Sequence, residues 1–415
     1  MIKIEKVKDI YGALIDVPAI ASKQDIIIND SRLTLLPALI DPHVHFRTPG
    51  HECKEDWRTA AQAAIRGGYT TVFDMPNTLP PTITQTYLHE KKALIDAQLQ
   101  EVGIPLRYQL FFGADKKHLD EIIKVREEII GIKVFMGCST GNLVIDDDES
   151  LEKVFRIAAE NNLLVAVHAE DEQLLQQRKA EFQDRKDYAV HSEIRNVQVA
   201  CRAVKKAIAL TERYQTRLYI LHVSSQEEIR LIERAKQAGL PVYAETTPHH
   251  LFLNTTVYPV LQGKAVVNPP LRLAADSAAL FAAIHASIID TIGSDHAPHT
   301  TAEKEKPYGE CPSGMPGIET TLSLLLNAHA ENLLSLEEIV SLTSKRAREI
   351  FNLPKNNDIV LVDLKKETAV IEKNLKTKCG WSPYAGRVLR GCPVYTILNS
   401  YCYSIASPLV GEAGA

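Results

Sequence analysis

Short β-rich runs alternate with helix-length stretches along most of this chain. Eight runs stand out: 36–45 (LPALIDPHVH), 70–76 (TTVFDMP), 107–114 (RYQLFFGA), 131–137 (GIKVFMG), 163–170 (LLVAVHAE), 217–225 (RLYILHVSS), 241–250 (PVYAETTPHH) and 290–299 (DTIGSDHAPH). Between them lie amphipathic stretches such as EDWRTAAQAAIRGG and SLEKVFRIAAENN. The second is expected to open on Ser150, with Leu151, Val154, Phe155 and Ala158 at helical spacing. Strand–helix alternation implies parallel pairing with right-handed crossovers, and near-continuous Val/Ile/Leu runs suit strands covered on both faces. Eight such units predict an α/β fold of the (β/α)8 TIM-barrel type. An open doubly wound sheet would carry a Gly-rich phosphate turn after its first strand. That position holds HVHFRTPG instead.

The chain ends lack helical period. Residues 1–35 and 351–400 are strand-like and turn-rich, with IVLVDL (359–364) and VYTIL (394–398) as strands. They are expected to meet in a small β-sandwich-like domain beside a barrel of residues 36–350, leaving 401–415 as a tail.

Composition narrows the function classes. The 415 residues are 45% hydrophobic and 24% charged, with a net charge of −5 and no basic tract. Nucleic acid is therefore not the expected partner. The start, MIKIEKVKDI, has no apolar signal core and no run reaches membrane-spanning length, so the cytoplasm is the expected compartment. Seven scattered cysteines include no CxxC pair, which fits reduced thiols and argues against a cysteine metal site.

The chemistry gathers at the C-terminal ends of the runs. His43 and His45 end the first, Lys133 lies in the fourth, and His168, His222 and Asp295 end the fifth, sixth and eighth. In a barrel these ends converge on one mouth. Residues i and i+2 of a strand share a face, so His43 and His45 can chelate one ion. A single strand-end histidine is ordinarily a satisfied core residue. Four histidines and an aspartate at matching ends point to a metal site. Lys133 sits among Ile132, Val134 and Phe135, where a buried ammonium is costly. On chemistry alone two readings stand: a lysine that reaches the mouth or pairs with an acid, or a neutral amine that takes up carbon dioxide to form a carbamate bridging two metals. Divalent ions acidify a bound water to a pKa of about 7. Asp295 is then placed to take its proton and pass it to a leaving nitrogen, which implies hydrolysis of an amide- or ester-like bond.

DPHVHFRTPG, GGYTTVFDMPNT, GIKVFMGCSTGN, VHAE, LHVSS, NPPLR and GSDHAPHT, in this order between about 36 and 320, resemble the amidohydrolase superfamily, and within it the dihydroorotases. The likeness continues weakly through IVLVDL and WSPYAGRVLRG. It implies reversible ring opening of L-dihydroorotate to N-carbamoyl-L-aspartate in de novo pyrimidine (UMP) synthesis. It implies a first metal on His43, His45 and Asp295, a second on His168 and His222, and N6-carboxylysine at Lys133 bridging them. Zinc comes first among the divalent ions, with manganese and cobalt also compatible. Arg47 would grip the substrate carboxylate through paired hydrogen bonds, with Asn77 and His299 as companions and Asn268 on the ring.

The expectations for neighbouring residues are structural. His249 and His250 should buttress the mouth, His51 and Glu52 should lie on a loop, and Asp74 should support strand two. The Gly- and Asp-rich stretch 138–148 is expected to form a lid, with Ser139 or Thr140 reaching substrate. The sequence departs from the family in reading RTPG where many dihydroorotases read REPG, so Thr48 should alter hydrogen bonding near Arg47. Lys133 places the chain with the lysine-bearing group. Relatives commonly form homodimers, and aspartate transcarbamoylase, the preceding enzyme, is a conceivable partner. The rivals are a cyclic amidase of neutral rings (dihydropyrimidinase or allantoinase), against which Arg47 argues, and a non-catalytic scaffold, against which six competent ligand positions argue.

Overall fold

The computed structural model describes residues 1–137 and 143–405. The chain opens with β1 (Ile2–Lys8), β2 (Leu14–Ile20), β3 (Ile26–Asn29) and β4 (Leu33–Pro37). Eight strands follow: β5 (Leu39–Val44), β6 (Tyr69–Asp74), β7 (Arg107–Gly113), β8 (Gly131–Phe135), β9 (Leu164–His168), β10 (Arg217–Ile220), β11 (Val242–Thr246) and β12 (Thr291–Ile292). Each pairs in parallel with the next, in chain order, as the strand–helix rhythm predicts.

The seam between β12 and β5 is joined beyond the strands themselves. Val44 and His296 form a parallel bridge, and the His45 amide donates to the His296 carbonyl at 2.8 Å. Asp41 Oδ1 accepts the amides of His43 (3.2 Å) and Ser294 (3.0 Å), tying β5 to the loop after β12.

Side-chain parity explains why one lysine of a hydrophobic strand faces the barrel axis. Ile132, Val134, Val165, Val167, Leu218 and Ile220 belong to the large outer core against the helices. Phe73, Phe111, Leu164, Ala166 and Tyr219 belong to a separate inner cluster around Phe351. The Phe351 ring meets Phe73, Tyr219 and Phe111 at centroid distances of 4.8, 5.1 and 6.2 Å. This aromatic plug fills the barrel below the site. Alternation along a strand puts Lys133 and His168 on the inner face above it.

The helix Trp57–Arg66 is capped by Asp56, which accepts from the amides of Arg58 and Thr59. The helix expected to open on Ser150 runs instead from Asp148 to Glu160. Its cap is Asp147, whose carboxylate accepts the Ser150 amide at 2.7 Å. A carboxylate both fills the orphan donors and suits the positive helix end, so Asp147 fills that role and Ser150 falls in the first turn.

Both chain ends enter one seven-stranded sheet, completed by β13 (Ile359–Ala369), β14 (Val388–Leu398) and β15 (Tyr401–Ser404). Its order is β15-β14-β13-β4-β1-β2, with β3 parallel to β1. The joint is β4 against β13, antiparallel from Leu33–Asp363 to Pro37–Ile359. β13 and β14 extend beyond the apolar runs that predicted them. The added pairs Glu367–Arg390 to Ala369–Val388 form a largely polar arm with no burial pattern to read in sequence. Tyr401–Ser404, expected as tail, is a strand because Cys402 and Tyr403 are buried against the sheet. No described helix is long and apolar enough to cross a membrane.

Candidate active site

His43, His45 and Asp295 bring one ligand atom each within 4.8 Å of one another, all buried. The Nε2 atoms of both histidines lie 3.3 Å from Asp295 Oδ1. Ligand atoms around a tetrahedral ion at ~2.0–2.1 Å are separated by about this distance. The outer nitrogens are engaged: His43 Nδ1 lies 2.7 Å from Glu245 Oε1, and His45 Nδ1 lies 2.7 Å from Asn77 Oδ1. An amide oxygen only accepts, so His45 carries its proton on Nδ1 and presents a bare Nε2 to the Asp295 carboxylate. Two facing lone pairs repel unless a cation lies between them. The donor set therefore fits a divalent metal, with outer partners that orient the ligands.

A second pair lies beside the first. His168 Nδ1 and His222 Nε2 are 3.0 Å apart, and His168 Nε2 contacts Glu170 Oε2 at 2.9 Å. The His222 ring lies 5.4 Å from that of His43, centroid to centroid. Burial holds all four imidazoles neutral, as ligands must be. His43 is pushed down to about 3 although Asp295 opposes it; His45 and His222 lie well below the ordinary value, and His168 is lowered against the pull of Glu170. Burial works to raise the Glu170 carboxyl, but Arg195 and His168 hold it at about 2.

Lys133 is 1% exposed, with Nζ 4.6 Å from the Phe135 ring centroid. Burial pushes its pKa down to about 7 against the opposing charges of Asp295 and Glu245. A substantial share of the amine is then neutral and nucleophilic at physiological pH.

Arg47, Asn77, Asn268, Lys133 and the five histidine and aspartate positions line one cavity with Val267 and Ala297. Arg47 is buried. Its Nε donates to the Pro298 carbonyl at 3.0 Å, and Nη2 lies 3.1 Å from His299 Nε2. Among the described residues it forms no ion pair. Burial lowers its pKa only to about 10, so the guanidinium stays charged. His299, expected at the cavity, sits one layer back, behind Arg47. Asn268 is held through Oδ1 by His191 Nε2 at 2.9 Å. Arg47, His222 and Asp295 all adopt positive φ (66°, 40° and 45°). Such strain in non-glycine residues gathers at functional sites.

The supporting residues behave as follows. Asp74 Oδ1 accepts the Phe46 amide at 2.8 Å, steadying the turn between His45 and Arg47. His250 bonds Thr247 Oγ1 at 2.8 Å and the Pro269 carbonyl at 3.1 Å, and His249 is buried beside it. Glu52 accepts the Gly50 amide on the loop before the helix. The Thr48 hydroxyl is buried without a partner among the described residues, its amide bonding the Phe46 carbonyl. Of the expected lid, residues 138–142, including Ser139 and Thr140, lie outside the described residues.

Sequence reasoning missed Asp41, Glu170, His191 and Glu245. Glu170 and Glu245 had one available signal: they sit on or just beyond barrel strands, where charge has no structural reason to be buried unless it serves the mouth.

Residues 34–378 match the amidohydrolase family. The chain is 34% identical over 375 residues to a dihydroorotase of Methanosphaera stadtmanae, covering 88% of this chain and 83% of that one. It is 31% identical over 408 residues to a dihydroorotase of Geobacillus kaustophilus, covering 96% and 93%. Among solved structures, the L-hydantoinase (dihydropyrimidinase) of Arthrobacter aurescens superposes with a TM-score of 0.91 at 25% identity, over 98% of this chain and 97% of that one. The chain belongs to the amidohydrolase family, within its dihydroorotase group.

Proposed function

We propose that this protein is a dihydroorotase, interconverting L-dihydroorotate and N-carbamoyl-L-aspartate. One observation carries the reading: Arg47 is a buried, charged guanidinium with no carboxylate partner among the described residues, opening on the cavity that holds the histidine cluster. Leaving a buried charge unpaired is expensive. A substrate carboxylate removes that cost, whereas a neutral hydantoin-like ring leaves it standing.

His43, His45 and Asp295 would hold one divalent ion and His168 with His222 a second, with Lys133 as N6-carboxylysine between them; zinc suits these ligands. Bound there, the ions supply polarisation of the amide carbonyl and acidify the attacking water. Asp295 accepts that water's proton and returns it to the ring nitrogen as the C–N bond breaks. Arg47 and Asn77, with His299 behind them, bind the carboxylate and fix the ring, and Asn268 contacts its far side. The same proposal makes residues 36–350 the catalytic barrel and 1–35 with 351–400 its β-unit, in a cytoplasmic homodimer. Aspartate transcarbamoylase is its proposed pathway partner.

The test is ring opening of L-dihydroorotate beside dihydrouracil and allantoin on metal-replete protein. Turnover of dihydroorotate alone is expected. Turnover of only a neutral ring would overturn the substrate and keep the hydrolase. No turnover with metal bound would favour a scaffold. Mass spectrometry under native conditions, with bicarbonate present, should find a carbon dioxide adduct that Lys133→Ala loses.

A further inference from the structure

His299 stands between two cationic side chains. Arg47 Nη2 lies 3.1 Å from its Nε2, and Lys54 Nζ lies 3.1 Å from its Nδ1. Nε2 also faces the Ser313 carbonyl at 3.1 Å. These contacts fix where the ring proton sits. A carbonyl only accepts, so Nε2 carries the hydrogen. An ammonium only donates, so Nδ1 is the bare nitrogen. Both contacts select the same neutral tautomer. The Nε2 hydrogen goes to the Ser313 carbonyl, so the ring offers no lone pair to Arg47 Nη2, which is left for another acceptor.

We propose that Lys54 is a positioning residue for the substrate carboxylate: by donating to Nδ1 it holds His299 in the Nε2–H form, directed at the Ser313 carbonyl, so that Arg47 Nη2 finds no acceptor on the ring and is kept for the anion. Without Lys54 the alternative tautomer becomes available. Its bare Nε2 would accept from Arg47 Nη2, and the arginine would be satisfied by protein instead of substrate. The inference rests on the anion-binding reading above.

The surroundings support this role. Glu303 Oε1 holds Lys54 Nζ at 2.8 Å, while its Oε2 bonds the amide and hydroxyl of Thr300 at 3.0 Å each. Lys54 is thereby anchored to the segment that follows His299. Trp381 Nε1 donates to the His299 carbonyl at 2.7 Å, pinning the main chain from the opposite side. Burial, with Arg47 and Lys54 adding to it, holds the imidazole well below its ordinary pKa. His299 is neutral at working pH, so the choice between its two neutral forms is the one that matters.

The experiment pairs Lys54→Met and Lys54→Arg with the wild type, each zinc-loaded and checked by circular dichroism. Two readouts are taken: the His299 tautomer by 15N–1H correlation spectra of 15N-histidine-labelled protein, assigned with His299→Gln, and KM against kcat for L-dihydroorotate. In the wild type the Nε2–H form is expected. In Lys54→Met the Nδ1–H form should appear and KM should rise roughly tenfold, the scale of one hydrogen bond to a charged group, with kcat within about twofold. Lys54→Arg, which keeps a donor, should recover most of both. An Nδ1–H signal in the wild type overturns the proposal whatever the variants do. So does an unchanged tautomer or KM in Lys54→Met. A wild type that leaves dihydroorotate intact but shows the Lys54-dependent tautomer would sink the substrate reading and leave the role of Lys54 on His299 standing.

Discussion

Lys91 and Asp74 are both fully buried, one on the helix Gln85–Val102 and the other at the end of β6. Lys91 Nζ lies 2.6 Å from Asp74 Oδ2 and donates its hydrogen bond to the Met75 carbonyl at 2.9 Å. Asp74 Oδ1 accepts the Phe46 amide, so the pair reaches the turn that carries His45 and Arg47. Lys91→Met removes the cation at nearly constant volume and strands a buried carboxylate with a single donor. Breaking a buried pair in this way costs about 3–5 kcal/mol. Asp74→Asn added to Lys91→Met removes the stranded charge while keeping an oxygen for the Phe46 amide. It should recover about half of the loss or more, about 2 kcal/mol. Urea unfolding at fixed metal concentration measures both. Trp57 is a local reporter, since its ring packs on Phe46 at 4.8 Å between centroids. A single variant within about 1 kcal/mol of wild type, or a double variant no better than the single, would refute the reasoning.

Three other outcomes are expected. Arg47→Met should raise KM for dihydroorotate on the order of 100-fold, because two charge-assisted hydrogen bonds are lost, with metal content by plasma mass spectrometry unchanged; an unaltered KM would remove Arg47 from the clamp. Gly293→Ala should cost about 1–3 kcal/mol in denaturation and lower metal content, since its Cβ would lie 2.5 Å from the Glu245 carboxyl and 2.8 Å from His43 Cβ; full metal loading would show that the space is not needed. Glu319 is raised by burial from 4.5 to about 7, with its bonds to the Lys376 amide and the charge of Arg66 opposing. The folded state therefore binds more protons than the unfolded one between these values, and wild-type stability falls as pH rises through that window. Glu319→Gln should gain on wild type from about pH 4.5 to 7 and run parallel above it, which denaturation at several pH values will decide.

The barrel and the cluster of candidate ligands were legible because two periodicities coincide. Strand alternation makes His43 and His45 equivalent, and the strand–helix rhythm brings His168, His222 and Asp295 to the same rim. Lys133 was legible as an anomaly among Ile132, Val134 and Phe135. Glu245 and Glu170 were not, because each acts across strands on an imidazole far away in sequence, and a lone acid carries no spacing. The placement of His299 behind Arg47 was equally hidden, since it depends on Lys54, Ser313 and Trp381 converging from three separate segments. The helix start misread at Ser150 shows the limit of local signals: the run DDDES offers several competent caps, and only the backbone geometry chooses Asp147.

The antiparallel joint between β4 and β13 has a consequence for biogenesis. During synthesis β4 waits with an unpaired edge until the whole barrel has been translated, on the order of 20–60 s at ribosomal speeds. An open edge of apolar residues such as Leu33 and Leu36 is a template for the wrong partner. The barrel strands, which pair with their immediate successors, can assemble as they emerge, whereas the β-unit is finished only after the last of them. The nascent chain therefore carries its longest-lived aggregation hazard at β4, and a chaperone that shields residues 33–37 would protect it longest.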